Sequence, residues 1–599
     1  MARAQREGQA LGGQALRGLA LRAGRIVPAG DAALLVRLGS RPGPSASRRV
    51  LALVAALDAA PPPGMIDVVP AYASVLVRFD PLVCEPAAMA AVLRAMLAQG
   101  SDASPPPGRL IRIPVHYGGS DGPDLDEVAR LLGMSVAEVI RRHSAASYRV
   151  AFLGFLAGYP YLSGLPRALA VPRLATPRTR VPAGSVAIAE RQAGVYPVAS
   201  PGGWRILGRT SLPLFDPQRD PPALLRPGDR VRFIPVAADD LPVPASPTYR
   251  DRAAPDAASV PWLRVVQPGI QTTVQDNGRL GYARYGVSAS GAADPDALAL
   301  GNALLANPHG AAALEITGGA ASFEALEASV AAVTGAPCVV SVNGRRVTVG
   351  AAFALSVGDM LELGAPLSGL RVYLAVAGGV AVPLVMGSRA TDLRAGLGGL
   401  AGRALRAGDE LVRGAAGDEV EGRILPSALM SRPPCGGAYE WRLRILLGPH
   451  AQESPGALDT LLRARFTVDA RSDRVGVRLR RVDSLNGPCL KGGQTLSEGL
   501  PRGAVQLPPD GEPVVLLADA QATGGYHVPA VVISADRWRI GQLRPGDTVC
   551  FERVTLDEAL AALRSRRDEI AAVRRSPMPA RLLGGFAEWS EDDDDDDDE

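Results

Sequence analysis

Two loops in this sequence carry adjacent glycines followed by an aromatic residue, Gly202-Gly203-Trp204 and Gly524-Gly525-Tyr526. Paired glycines leave backbone N–H groups bare, so such a loop can approach a ligand closely and donate to an oxyanion. Arg173, Arg178 and Arg209 flank the first loop and supply planar, forked cations suited to phosphate or carboxylate. A tight barrel turn with surface arginines has the same composition, and both readings stand. His143 is the candidate general acid or base, because imidazole titrates near neutral pH unperturbed. Its place beside Ser144 also suits an ordinary histidine at a helix C-terminus. Gln275, Asp276 and Arg279 crowd one strand-to-turn word, while Tyr159 and Tyr161 flank Pro160 as wall or core aromatics.

Lys491 is the only lysine. A phosphate-cradling loop needs Gly-Lys-Ser/Thr after a glycine-rich turn, and Lys491 sits between Leu490 and Gly492 instead. It also lacks the Met-Lys-Met setting of a biotin attachment site, so any biotin must arrive on another chain. The dinucleotide-like word Gly396–Ala401 reads as a turn before Gly408-Asp409. Cys84, Cys338, Cys435, Cys489 and Cys550 are scattered without paired spacing, which argues against a disulfide scaffold or a zinc cluster and suits reduced thiols in a cytoplasm. No metal site is expected. A net charge of +3 offers no global attraction for nucleic acid. The most apolar stretch, Ala321 to Val340, is broken by Glu324, Glu327 and Pro337, so no membrane span is expected.

These residues must be positioned by many short elements, because Gly and Pro (67 and 52 of 599 residues) punctuate the chain throughout. Residues 1–25, Arg-rich and without an apolar run, read as a disordered extension. Residues 26–110 read as a small α+β domain, with strands at Ala33–Val36 and Val75–Phe79 and helices at Arg49–Ala59 and Ala87–Gln99. Asp124–His143 reads as two short helices, the second opened by a Ser135/Glu138 capping box. From Tyr148 to Val236 short apolar strands alternate with turns. A Pro-, Ala- and Asp-rich linker at 237–261 predicts two independently folding halves, separable by limited proteolysis near 1–240 and 260–575. The rest is β-rich through residue 553, with one clear helix capped by Asp294 and started by Pro295. A closing helix (554–575) and an acidic disordered tail (576–599) complete the pattern.

The chain also repeats itself in order. Pro182–Val186, Gly202–Trp204 and Arg226-Pro-Gly-Asp229 recur as Pro501–Val505, Gly524–Tyr526 and Arg544-Pro-Gly-Asp547. Gly358-Asp359 and Gly408-Asp409 are further Gly-Asp turns before apolar runs. Such turns signal β-hairpins, and their ordered recurrence predicts related β-barrels built more than once.

Longer words carry a family resemblance. Tyr117–Gly119, Phe152–Leu162, Pro172-Arg173, Pro177-Arg178, Val181–Val186, Ser200–Thr210 and Leu214–Asp216 resemble the B-type subunits of bacterial 5-oxoprolinase, also called KipI-like or allophanate hydrolase subunit 1. Thr273–Asp276, Leu314-Glu315, Tyr373–Gly379, Gly387–Arg389, Ser472–Gly476, Ser497–Gly499, Gly503–Gln506 and Thr523–Tyr526 resemble the C-type subunits, also called KipA-like. The resemblance implies a mainly β chain with α+β parts. Cyclophilin-like barrels would fill 111–236, 262–430 and 431–553, beside the small N-terminal α+β domain. Ala157, Glu190, Ala390, Ala520, Ala522 and His527 depart from the family's usual residues.

The resemblance further implies a B–C fusion of an ATP-dependent 5-oxoprolinase, working with a separate A-type 5-oxoprolinase subunit. Its lactam would be activated by phosphorylation and then hydrolysed, with ATP as co-substrate accompanied by Mg. Arg389, Arg474 and Glu498 join Arg279 as implied substrate- or phosphate-binding residues, and Glu315 joins His143, Gln275 and Asp276 as a catalytic candidate. A biotin-dependent carboxyltransferase of the urea amidolyase type and a KipI/KipA-like regulator of a sensor kinase are the alternatives. A homo-oligomer is compatible with each.

Overall fold

The computed structural model describes residues 24–99, 108–241, 260–415, 422–426, 429, 440–482, 492–575 and 578–579. The extension before residue 24, most of the linker, Lys491, Cys435, Cys489 and nearly all of the acidic tail lie outside these residues.

The N-terminal unit is a four-stranded antiparallel sheet in the order Arg25–Pro28, Ala33–Arg37, Ser74–Phe79, Met65–Pro70. Helices Pro44–Ala59 and Pro86–Ala98, both with Pro in the first turn, cover one face. Leu34, Val36, Val75 and Val77 pack there against Leu53, Leu57 and Leu93. The apolar run Ala33–Val36 does not alternate with polar residues because the other face is covered too. Leu35, Val69 and Leu76 meet Ala283 and Ala522 from the far half of the chain.

Residues 110–235 close into a seven-stranded barrel: Gln192–Val195, Pro160–Ser163, Tyr148–Leu153, Arg230–Pro235, Leu110–Tyr117, Arg205–Arg209 and Ser185–Ala189. Helices Leu125–Leu132 and Val136–Ala145 lie over it, and Ser135 Oγ accepts from Glu138 N at 3.2 Å as the capping box requires. A second ring runs through Glu440–Leu447, Thr548–Arg553, Phe466–Val468, Gly476–Arg481, Val514–Leu516, Ala504–Leu507 and Thr523–Val532, and closes where the last pairs with the first. In each ring the final strand in sequence runs parallel to the opening one. The sequence repeat is therefore a structural repeat. All four Gly-Asp turns share one geometry: Asp229, Asp359, Asp409 and Asp547 accept from the backbone N–H three residues earlier, at 2.9, 2.7, 2.7 and 3.0 Å.

Between the rings, residues 263–413 depart from the expected barrel at 262–430. They form a seven-stranded and a five-stranded sheet around one core that includes Trp262, Leu314, Phe323 and Leu374. Helix Pro295–Leu304 is capped as expected, Asp294 Oδ1 accepting from Asp296 N and Ala297 N. It is not alone in the second half, because Pro455–Arg463 and Arg537–Gln542 are also helical. The closing helix, Leu556–Arg575, holds Asp296 through Arg566.

The two halves pack against each other across the linker. Ala157 shares a core with Val287, Val385 and Leu397, and Tyr72 and Phe152 share one with Leu496. Arg37 forks onto Glu498, Asp31 accepts from Ser534, and Asp67 accepts from the N–H groups of Gly281 and Ala283. Apolar faces of this kind need a partner surface, so the linker joins halves that complete each other. Residues 24–241 and 260–579 expressed as two chains in one cell are expected to co-purify, and each alone to aggregate. Two well-folded fragments that separate on a sizing column would contradict the shared cores.

Candidate functional site

The loop between strands Tyr148–Leu153 and Pro160–Ser163 reaches from the first barrel into the second half. Two glycines allow this. A Cβ at Gly154 would lie 2.1 Å from Thr523 Oγ1, and one at Gly286 would lie 2.3 Å from the Leu156 carbonyl oxygen. Gly158 N then donates to Tyr285 O at 2.8 Å. A narrow cleft of about 20 Å³ opens beside this seam, lined by Phe155, Gly286, Ser288, Asp392, Arg394 and Asp519 among others. Phe155 has φ 65°, a conformation that a bulky residue adopts only under constraint and that concentrates at functional sites. The Arg394 guanidinium sits 5.8 Å from its ring centroid.

Two carboxylates face this cleft from different environments. Asp519 is buried and held by Arg474, whose Nε donates to Oδ2 at 2.9 Å and Nη2 to Oδ1 at 3.1 Å. Asp392 is also buried, and its Oδ1 accepts from Arg394 N and Ala395 N, both at 3.0 Å. Burial first, and then the charge of Asp519, raise the Asp392 pKa above the ordinary carboxylate value. Asp519 is thus forked onto an arginine, and Asp392 is biased toward carrying a proton.

Arg474 also reaches Glu315 and the Gly291 carbonyl oxygen. Glu315 accepts from Tyr373 Oη at 2.6 Å and Ala293 N at 2.8 Å, and lies 3.3 Å from Arg371 Nε. Burial opposes its charge, yet Arg474 and Arg371 lower its pKa below the usual value. Burial likewise opposes the Arg474 cation, and Asp519 and Glu315 more than offset it, so that pKa is raised.

The predicted site residues divide accordingly. Glu315 and Arg474 come together as this buried ion pair. Asp276 accepts from Ser388 Oγ and Arg389 N, and Gln275 Nε2 donates to Thr391 O. Arg279 donates to Val385 O and Ala390 O, and Arg389 to Val382 O. These four fasten the 382–391 loop that carries Asp392 and Arg394 into the cleft, so they act as positioning residues.

His143 lies fully buried in the first barrel. Its Nδ1 is 2.8 Å from Tyr117 Oη and its ring stacks on Phe233. Burial pushes its pKa down to about 3, which keeps it neutral in the core and removed from the cleft. Arg178 forks onto Asp124, Arg173 pairs with Glu190, and Arg209 donates to Ala183 O. Glu190, where the family usually has Gly, has φ 53°.

The two Gly-Gly words fall at equivalent barrel strands, Gly203 just before Arg205–Arg209 and Gly524-Gly525 within the strand Thr523–Val532 rather than in a loop. The strand after Gly203 pairs with Ser185–Ala189 and Leu110–Tyr117, as Thr523–Val532 pairs with Ala504–Leu507 and Glu440–Leu447. The four glycines are not among the residues lining the cleft. Gly203 and Gly525 have no left-handed backbone, and the tight approaches fall at Gly202 against Tyr196 Oη and at Gly524 against Leu500. Trp204 is buried among Tyr159 and Tyr196, and Tyr526 is exposed. Glu498 belongs to the seam, held by Arg37 with His450 3.3 Å away. Sequence reasoning missed Asp392, Arg394, Asp519 and Phe155. All four stand inside or next to quoted words, without a periodicity to mark them.

Among the described residues no helix is long and apolar enough to cross a membrane, and no cluster of His, Cys, Asp or Glu would hold a metal ion.

Residues 24–225 match the family described as Carboxyltransferase domain, subdomain C and D, and residues 285–553 match Carboxyltransferase domain, subdomain A and B. The C-type subunit of 5-oxoprolinase from Escherichia coli (strain K12) is 39% identical over 305 residues, 50% of this chain and 94% of that protein. The B-type subunit of 5-oxoprolinase from Bacillus subtilis (strain 168) is 38% identical over 226 residues, 36% of this chain and 94% of that protein. Urea amidolyase of Lachancea kluyveri is 31% identical over 50% of this chain, which spans 17% of that protein. The crystal structure of TTHA0988 superimposes with a TM-score of 0.76 at 39% identity, covering 87% of this chain and 99% of that one.

Two outcomes follow from the buried charges. Arg474→Met leaves Asp519 without its cation and Glu315 with Arg371 alone, and is expected to lower stability by about 3–5 kcal/mol in denaturant melts. Burial, and then Asp296, raise the Asp294 pKa to about 7. The folded state therefore binds a proton more tightly than the unfolded state. Stability should fall as pH rises from about 4 to 7, by at most about 1.4 kcal/mol per pH unit. Asp294→Asn, which keeps a cap acceptor, is expected to flatten that slope.

Proposed function

Because the chain belongs to the carboxyltransferase-domain family that includes the B-type and C-type subunits of 5-oxoprolinase, we propose that it is the B–C fusion component of an ATP-dependent 5-oxoprolinase. The reaction opens 5-oxo-L-proline to L-glutamate with ATP and two water molecules consumed, and ADP and phosphate released. The observation that carries this reading is a single chain aligning with 94% of a B-type and 94% of a C-type subunit, with its cleft built from both halves.

Opening a lactam requires neutralisation of charge on the amide oxygen and a proton for the departing nitrogen. Arg394 supplies the cation. Asp392, biased toward its protonated form, supplies the proton, and Asp519 keeps it biased. Phe155 and Leu156 form an apolar wall that limits water. The sequence has no Gly-Lys-Ser/Thr loop, so activation with ATP and Mg is assigned to the assembly with a separate A-type subunit. The hydrolase activity thus belongs to the complex, in the cytoplasm.

The similarity to urea amidolyase favours a second reading, carboxyl transfer from biotin carried on another chain to urea or a related amide.

The test is reconstitution. The purified chain alone should give no 5-oxoproline-dependent ADP release, and addition of the A-type subunit should produce ADP and glutamate together. Asp392→Asn, folded by circular dichroism, should lower that turnover about 100-fold or more. Full turnover by Asp392→Asn would remove the proposed proton donor. Activity with urea and a biotinylated carrier, but none with 5-oxoproline, would establish the second reading instead.

A further inference from the structure

Where the closing helix Leu556–Arg575 packs against helix Pro295–Leu304, a groove of about 450 Å³ opens, bordered by the N-terminal unit at Asp80. Its floor is apolar: Ala299 and Ala303 come from the earlier helix, Ile570 and Ala571 from the closing one. Its rim is charged. Arg567 and Arg574 stand seven residues apart on the closing helix, a spacing that puts both on one face, and His309 completes the edge.

The rim cations are only half balanced. Arg567 Nη1 donates to Asp80 Oδ2 at 2.9 Å, whereas among the described residues no acid lies within ion-pair distance of Arg574. Burial first, and then the guanidiniums of Arg574 and Arg567, lower the His309 pKa below its ordinary value. That imidazole therefore senses the positive field of the groove.

The chain carries a segment of matching chemistry. Met578-Pro579 pairs with Arg423-Ile424, and Leu425 shares a core with Val573 and Leu304, which keeps this exit point beside the two helices. Beyond it the sequence runs through Phe586 and Trp589 into nine consecutive acids, Glu591–Glu599. Large apolar side chains followed by acids complement an apolar floor rimmed by arginine. Reach is sufficient. The five residues from Arg574 to Pro579 span at most about 18 Å, and the next seven, to Phe586, can span about 25 Å. A run of like charges repels itself and stays in solvent unless cations meet it, and here they stand close to where the run departs.

We propose that residues 586–599 dock in this groove of their own chain, with Phe586 and Trp589 on the alanine floor and the acids against Arg574 and Arg567. The docked segment gives Arg574 a counter-charge and covers the line where the closing helix meets the N-terminal unit. The lactam reading plays no part in this assignment.

Magnetic resonance titration of the full chain with labelled histidine tests it, the His309 signal being assigned from His309→Gln. The comparison is a chain with Glu591→Gln, Glu599→Gln and each Asp between them changed to Asn. Docked acids favour the imidazolium, so His309 should titrate about 0.5 pH units or more higher with the native tail than with the neutral one. Phe586→Ser combined with Trp589→Ser should bring His309 down to the neutral-tail value, because nothing then seats the acids on the floor. These tail variants leave every described residue in place, so the groove itself is unaltered. Equal His309 titration with acidic and neutral tails overturns the proposal. So does a raised value that survives loss of Phe586 and Trp589, which marks diffuse attraction without a seat. A raised value that fades on dilution also overturns it, because the tail of a second copy then fills the groove.

Discussion

The guanidinium of Arg474 holds the second half of the molecule in register. It comes from the last barrel, forks onto Asp519 of the same barrel, and reaches Glu315 and the Gly291 carbonyl of the preceding unit. All three charged groups are buried, so each depends on the others to avoid the desolvation penalty of an unpaired ion. Tyr373, Arg371 and the backbone of Ala293 occupy what remains of the Glu315 carboxylate, which leaves the network little freedom to rearrange. The 519–522 loop is fixed as a consequence. Because Asp519 and Gln521 form part of the cleft wall, one buried cation sets the geometry of the cleft.

The seam between the halves obeys a steric constraint of equal weight. Gly154 and Gly286 permit main chains to approach at distances that a methyl group would forbid. The strained Phe155 lies next to this contact and turns its ring toward Arg394. Such strain persists only where surrounding packing over-determines it, and here the packing comes from both halves. The cleft therefore exists only in the assembled chain, as does the buried second face of the N-terminal sheet. Fusion of the two halves raises their effective concentration for each other and favours this arrangement without adding a contact.

Charge is distributed unevenly across the 519–522 loop. On the cleft side stand Asp392 and Asp519, and on the far side stand Arg78 and Arg502. The carboxylate pair is partly relieved by Arg474 and by a raised Asp392 pKa. Arg78 is ion-paired with Asp67, and Arg502 donates to the Ser290 carbonyl oxygen.

Much was determined by the sequence alone. The Asp294 and Ser135 caps, the Gly-Asp turns, the doubled barrel and the family words depend on interactions within a few residues, or on patterns that one chain repeats, and these are readable without coordinates. The strand at Ala33–Val36 was also legible, and the covering of its second face was not. What only tertiary structure decided was where isolated charges ended up. His143 went into a barrel core, Asp276 and Arg279 fastened a loop, and Asp392 reached the cleft with no local pattern to foretell it. A pKa, a counter-ion or a cleft is set by atoms hundreds of residues apart in sequence. The sheet of Arg78 and the barrel of Asp519 come together only through the packing of the two halves, and no periodicity in either segment encodes that meeting.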